Sequence, residues 1–132
     1  MLRYTAICLA ILGAVLAWAV EPPLIDSMHG DDLYKAYCAS CHGVTGKGNG
    51  PMAPWLKMQP SDLTRIAARN GGSFPLTRVE HIISGEEALA RGHSTGGMPV
   101  WGPVFSQVTR DQDFGRVRID SLARYLRDIQ TK

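Results

Sequence analysis

From Ser27 onward the apolar residues recur at helical spacing in four stretches, separated by segments rich in Gly and Pro. Leu33, Ala36 and Tyr37 share one face of a helix expected from about Asp31 to Ser40, with Asp31 as its cap. In "SDLTRIAARNGG" the spacing of Leu63, Ile66 and Ala67 predicts a short helix capped by Ser61 and stopped by Gly71. "TRVEHIISG" predicts a third: Thr77 and Glu80 stand at capping-box spacing, Val79, Ile82 and Ile83 form a buried stripe, and Gly85 ends it. Leu122, Tyr125, Leu126 and Ile129 fall at i, i+3, i+4 and i+7 of a terminal helix. That helix starts near Asp113, or near Asp120 because Gly115 weakens the earlier turn. The stretches "GVTGKGNGPMAPWLKMQP" and "GHSTGGMPVWGPVF" read as irregular. No credible strand pair exists, so the pattern predicts three or four helices, an all-α domain whose long first loop must wrap something.

Ahead of this domain, "MLRYTAICLAILGAVLAWAV" has one early positive charge, Arg3, an apolar run, and the small-x-small triplet Ala17-Trp18-Ala19. That is the layout of a secretory signal peptide over residues 1–19, leaving a mature domain over residues 27–132. The uncharged run from Tyr4 to Val20 is long for a signal core and short for a spanning helix, so a retained membrane tether is the alternative. On either reading the domain is extracytoplasmic, in the periplasm. Cys8 lies inside this leader as an apolar residue, without the preceding small residues of a lipoprotein site.

The 132 residues allow one domain, and 45% hydrophobic with 20% charged residues suits a folded soluble chain. Net charge is +2, with Lys and Arg interleaved among Asp and Glu, which sets nucleic-acid binding aside. With 14 Gly and 8 Pro the fold is loop-rich, and such a small core often needs a cofactor or metal as a staple.

The mature domain keeps two cysteines, and outside the cytoplasm these must be paired, ligated or alkylated. They lie in Cys38-Ala39-Ser40-Cys41-His42. Two residues between cysteines on one helical turn set both sulfurs along one edge of a flat macrocycle, and the adjacent imidazole reaches the iron from one face. C-x-x-C-H therefore reads as the attachment of one haem c. A redox dithiol normally follows a strand at a helix N-terminus, and here a helix precedes the motif. A zinc site would need four ligands from Cys38, Cys41, His29, His42, His81 and His93, none of which adds a second short-spaced pair.

For the sixth iron position, Met52 and Met58 follow His42 too closely and read as apolar fillers. Met98 lies in "GGMPVWG", where Gly96 and Gly97 allow close approach and Pro99 stiffens the segment. His93 is the alternative ligand. Thioether ligation favours electron transfer over catalysis. The axial histidine needs a carbonyl for its other ring nitrogen, which Pro51 and its neighbours in "GNGPMAP" are placed to offer. Trp55 and Trp101 could donate to haem propionates or form crevice walls. Lys47, Lys57 and Arg65 could line the haem edge and dock an acidic partner.

With CASCH, Met98 and the "LARYL" helix taken together, the chain from about Gly30 to Ile129 resembles class I cytochromes c of the small bacterial monohaem group. "GDDLYKAYCASCHG" is similar to the family's first helix, where Gly30 and Tyr34 fall on recurrent positions and Tyr125 fits the aromatic of the crossing terminal helix. The resemblance implies an all-α fold of three to five helices around a covalently held haem. Pro51 would serve the axial histidine and Met98 would be the distal ligand. It further implies an electron shuttle rather than an enzyme, matured by haem-attachment machinery and serving a donor and an acceptor protein. The alternative is a subunit of a periplasmic oxidoreductase complex. The insert between Met58 and Gly96 departs from the shortest members.

Overall fold

A computed structural model describes residues 24–86, 98–108 and 112–131. The leader, His93, Gly96 and Gly97 lie outside the described residues. Among those described there are helices and no strands, so the all-α expectation is borne out.

Helix α1, Gly30–Tyr37, begins one residue before the expected cap. Asp31 caps nothing and pairs instead with Lys35 at 3.0 Å. The buried face also differs: Leu33 and Tyr34 are buried, Tyr37 is half-buried, and Ala36 is exposed. The cause is a second contact stripe, in which Gly30 and Tyr34, one turn apart, meet the terminal helix. Cys38 departs from helical geometry, and a single turn, α2, continues over Ala39–His42.

The segment "SDLTRIAARNGG" forms a 3-10 turn over Leu63–Arg65 and then α3, Ile66–Arg69. Its cap is Asp62, whose carboxylate accepts the Thr64 N–H at 2.9 Å, and not Ser61. Helix α4 spans Leu76–Ser84 from Pro75, without the expected capping box. Glu80 sits in the second turn and bonds across to Asp120 instead. Gly85 ends α4 in the left-handed region, φ 93°, as its position in the sequence implied.

Helix α5, Gly102–Val108, falls where an irregular stretch was expected. Pro103 is tolerated because the first turn of a helix has no use for its missing N–H, and Phe105 is driven into the core with 0% exposure. Helix α6 runs the whole way from Gln112 to Asp128. Gly115 does not break it: a Cβ there would stand 2.9 Å from the Ser106 hydroxyl, so the glycine lets α6 lie against α5. That contact outweighs the roughly 1 kcal/mol propensity penalty of Gly.

Leu33, Tyr34, Val79, Ile83, Phe105 and Leu122 centre one core between α1, α4, α5 and α6. Gln130 accepts the Ala67 N–H at 2.8 Å and donates to the Leu63 carbonyl at 2.8 Å, clamping the C-terminus onto α3. None of the described helices is long and apolar enough to cross a membrane.

Two consequences are measurable. The Tyr34 hydroxyl donates to the Gly43 carbonyl at 2.6 Å, and that carbonyl also accepts the Gly46 N–H at 3.0 Å. Because the carbonyl keeps one partner, Tyr34→Phe is expected to lower stability by only about 1 kcal/mol in a denaturant titration. The Glu80 carboxyl is held above its ordinary range by burial and then by the Asp120 charge. A carboxyl raised by folding stabilises below its unfolded pKa and loses that contribution as pH rises through the folded value. Glu80→Gln keeps a donor for Asp120 without the second charge. Thermal melts are expected to show it more stable than the parent at pH 7, with the gain disappearing at acid pH.

Candidate haem site

The carbonyls that end a helix lack intrahelical partners. At the end of α2 the Gly-rich loop supplies them: Gly48 N–H bonds the His42 carbonyl at 2.8 Å, Gly50 the Cys41 carbonyl at 3.0 Å, and Met52 the Ser40 carbonyl at 2.9 Å. Gly50 must be glycine, since a Cβ there would overlap the Ser40 oxygen and lie 2.6 Å from the Cys41 carbonyl carbon. The loop thus wraps the CASCH turn itself.

His42 is buried, with Nδ1 3.0 Å from the Ser61 carbonyl. A carbonyl only accepts, so Nδ1 carries the proton and the ring's lone pair lies on Nε2. This corrects the acceptor expected from the Pro51 segment. Pro51 is exposed, and the N–H groups beside it are engaged by α2, so its segment braces the turn while Ser61 orients the ring.

Cys38, His42, Met98 and Trp101 all line one cavity of about 240 Å³, walled by Leu63, Val79, Leu122 and other apolar side chains. Cys41 is half-buried within the same turn but is not part of that lining. Met98 is positioned from behind. The Trp101 N–H bonds the Ile83 carbonyl at 3.0 Å, and a Cβ on Gly102 would crowd the Ser84 carbonyl oxygen at 2.5 Å. A Cβ on Gly85 would overlap Val100. The end of α4 therefore pins the segment that carries Met98, through glycines that the pattern had assigned only to stopping a helix or to a loop.

Trp101 is a wall residue: its ring centroid lies 5.2 Å from Tyr37 and 5.9 Å from Phe105, stacked on the latter. Trp55 is not at the site, being 80% exposed on the 3-10 turn Ala53–Trp55. Met52 and Met58, expected as fillers, are instead exposed at 47% and 54%, while the backbone N–H groups of Gly48, Gly50 and Met52 tie the loop to the CASCH turn. Lys47, Lys57 and Arg65 are exposed.

The two thiols are not joined in a disulfide. Burial, and then the neighbouring Cys41, push the Cys38 thiol up to about 12. A thiol held protonated that far is a poor nucleophile for disulfide exchange, which disfavours the dithiol reading. Among the described residues no three His, Cys, Asp or Glu side chains converge as a metal cluster. His29 is exposed at the start of α1, and His81 lies exposed beside Glu86 at 3.3 Å. The apolar cavity, two cysteines one turn apart and two neutral donors fit a covalently held macrocycle and its iron.

Sequence reasoning missed Ser61, whose backbone carbonyl has no signature in its side chain. Arg69, Asn70 and Arg78, which the sequence pattern did not single out, also line the cavity.

No curated protein and no solved structure matches the chain. Residues 26–126 match the family described as cytochrome C oxidase, cbb3-type, subunit III. That span contains CASCH, the wrapping loop, Met98 and most of α6. The chain belongs to this family of cytochrome c domains, which implies a covalently bound c-type haem and electron transfer through it.

Proposed function

We propose that the protein is an exported single-electron carrier holding one haem through thioethers from Cys38 and Cys41, with His42 Nε2 and Met98 as axial donors. The observation that carries this reading is the meeting of Cys38, His42 and Met98 in the lining of one apolar cavity. The group supplies a one-electron ferric/ferrous couple when bound.

The chain's own residues do the rest. The Ser61 carbonyl holds the His42 tautomer and ring angle, and increases the basicity of Nε2. Met98 offers a neutral, polarisable sulfur on a segment fixed to α4, so little rearranges when the charge of the site changes. Leu63, Val79 and Leu122 exclude water, which keeps solvent reorganisation small. Exposed Lys47, Lys57 and Arg65 provide a cationic surface for acidic donor and acceptor proteins, and exposed Trp55 adds apolar area to it. Residues 1–19 act as the export signal that brings the domain to the periplasm and to the haem-attachment machinery.

A second reading, favoured by the family's description, makes the chain a subunit of an oxidase-type complex, with the same site passing electrons inside an assembly. Purification under mild conditions separates the two. A free carrier elutes alone, exchanges electrons with a soluble acceptor and binds no carbon monoxide when reduced. A complex subunit elutes with partner chains. Carbon monoxide binding by the reduced parent protein would contradict sulfur ligation in either case.

A further inference from the structure

Ser61 meets the His42 ring through a backbone carbonyl, so whatever holds that carbonyl in place also holds the ring. Ser61 itself is exposed, and its own side chain is not packed into the domain. Backbone contacts fix it from both sides. Before it, a Cβ on Gly48 would overlap the Pro60 carbonyl oxygen, so the two strands of chain lie in direct contact. After it, the Leu63 N–H bonds the Gly46 carbonyl at 2.6 Å and the Asp62 carboxylate accepts the Thr64 N–H at 2.9 Å. Gly46 and Gly48 belong to the loop that wraps the CASCH turn, so the histidine and its acceptor rest on one support.

The end of α6 closes over the second of these sides. Gln130 is half-buried, and its amide is engaged at the oxygen and twice at the nitrogen. Oε1 accepts the Ala67 N–H at 2.8 Å, while Nε2 donates to the Leu63 carbonyl at 2.8 Å and to the Leu126 carbonyl at 2.6 Å. Thr131 adds its N–H and its hydroxyl, both to the Thr64 carbonyl, at 2.9 and 3.2 Å. A Cβ on Gly46 would stand 3.2 Å from the Ile129 Cδ1 and 3.3 Å from the Thr64 Cγ2, so the wrapping loop lies against the same junction. An amide bonded in three directions specifies one geometry, which an apolar contact of the same size does not.

On the reading that His42 binds haem iron, we infer that Gln130 is a positioning residue for the axial histidine. It locks the 3-10 turn that follows Ser61 onto α6 and thereby keeps the Ser61 carbonyl on His42 Nδ1. A firm acceptor at Nδ1 strengthens Nε2 as a donor and favours the ferric state. Loosening the clamp therefore weakens that bond and raises the potential. Gln130 acts in this way on a cavity whose lining it does not join.

The test uses holoprotein carrying Gln130→Leu, which nearly keeps the volume and removes the three amide hydrogen bonds, or Gln130→Glu. The latter keeps the acceptor for Ala67 and turns a carboxylate oxygen toward the Leu63 and Leu126 carbonyls. Ala123→Gly is the control, because it weakens α6 from within by about 1 kcal/mol or more at a buried residue that makes none of the clamping bonds. Proton NMR of the reduced, diamagnetic protein follows exchange of the His42 Nδ1–H with solvent, and denaturant titration gives the stability of each variant. Both Gln130 variants are expected to exchange that proton about tenfold faster than the parent, the ratio that loss of one or two ordinary hydrogen bonds gives. Voltammetry should show both at a higher potential. Ala123→Gly should keep exchange and potential near the parent values although its stability falls. Acceleration in the Gln130 variants no greater than in Ala123→Gly, or an unchanged or lower potential, would overturn the inference. If Gln130→Leu does not accumulate, Gln130→Glu decides by the same criteria. A colourless parent protein would sink the haem reading, whereas coloured Gln130 variants with parent-like exchange and potential sink this inference alone.

Discussion

Met98→Ala is expected to abolish the far-red charge-transfer band of the oxidised protein, to lower its reduction potential by tenths of a volt, and to open the reduced protein to carbon monoxide. Axial ligands set haem potentials across roughly 0.8 V, and a thioether stabilises the ferrous state relative to water or a nitrogen donor. Met98 lines the cavity together with His42, on a segment anchored by the Trp101 N–H to Ile83. Those anchors do not involve the Met98 side chain, so the segment is expected to keep its place and leave a vacant coordination position. Far-ultraviolet circular dichroism should show the helices retained. His93→Ala, the control for the alternative ligand, should leave band, potential and carbon monoxide behaviour as in the parent. Absence of the band from the parent protein, with carbon monoxide binding gained in His93→Ala and not in Met98→Ala, would exchange the two assignments.

Gly30→Val is expected to be the most damaging single change outside the ligand set, lowering stability by about 3 kcal/mol or more. A Cβ at Gly30 would overlap the Ser121 carbonyl oxygen and stand 2.7 Å from the Tyr125 Cβ. Backbone cannot rotate aside as a side chain can, so α1 and α6 must separate. The Tyr34–Tyr125 ring contact at 5.2 Å and the packing of Leu33 would separate with them. The propensity gain on replacing Gly in a helix, at most about 1 kcal/mol, acts in the opposite direction and is too small to compensate. It is smaller still here, because Gly30 is the first residue of α1. Gly30→Ala should show the same sign with a smaller loss. Chemical denaturation of the two variants checks the ranking, and an unchanged midpoint in Gly30→Val would refute the close crossing.

Much of this arrangement was legible in the sequence because it rests on periodicity and on residues with few physical uses. The stripe of Leu122, Tyr125, Leu126 and Ile129 identified α6, and Gly85 marked the end of α4 in the left-handed conformation that it adopts. CASCH and Met98 pointed to one site, and both contribute to the lining of one cavity. What the pattern could not reveal depends on tertiary contact. Gly115 looks like a helix breaker until Ser106 of α5 lies against it. Thr77 and Glu80 have the spacing of a capping box, yet Glu80 is drawn to Asp120 on another helix. Pro51 was assigned to His42 by proximity in sequence, whereas the ring meets Ser61 after the intervening loop has spent its donors on α2. Trp55 has an indole suited to a buried acceptor, but it stands on a surface turn. Backbone acceptors, and the direction in which a loop faces, leave no trace in residue type.

The central claim is that the sulfurs of Cys38 and Cys41 carry one haem. Intact-mass measurement of the protein after export and denaturation in a host that matures such proteins tests it most directly. The account predicts a single species heavier than the polypeptide by one haem, with its colour retained in denaturant and lost in Cys38→Ser/Cys41→Ser. A polypeptide of unmodified mass, colourless under the same conditions, would contradict it.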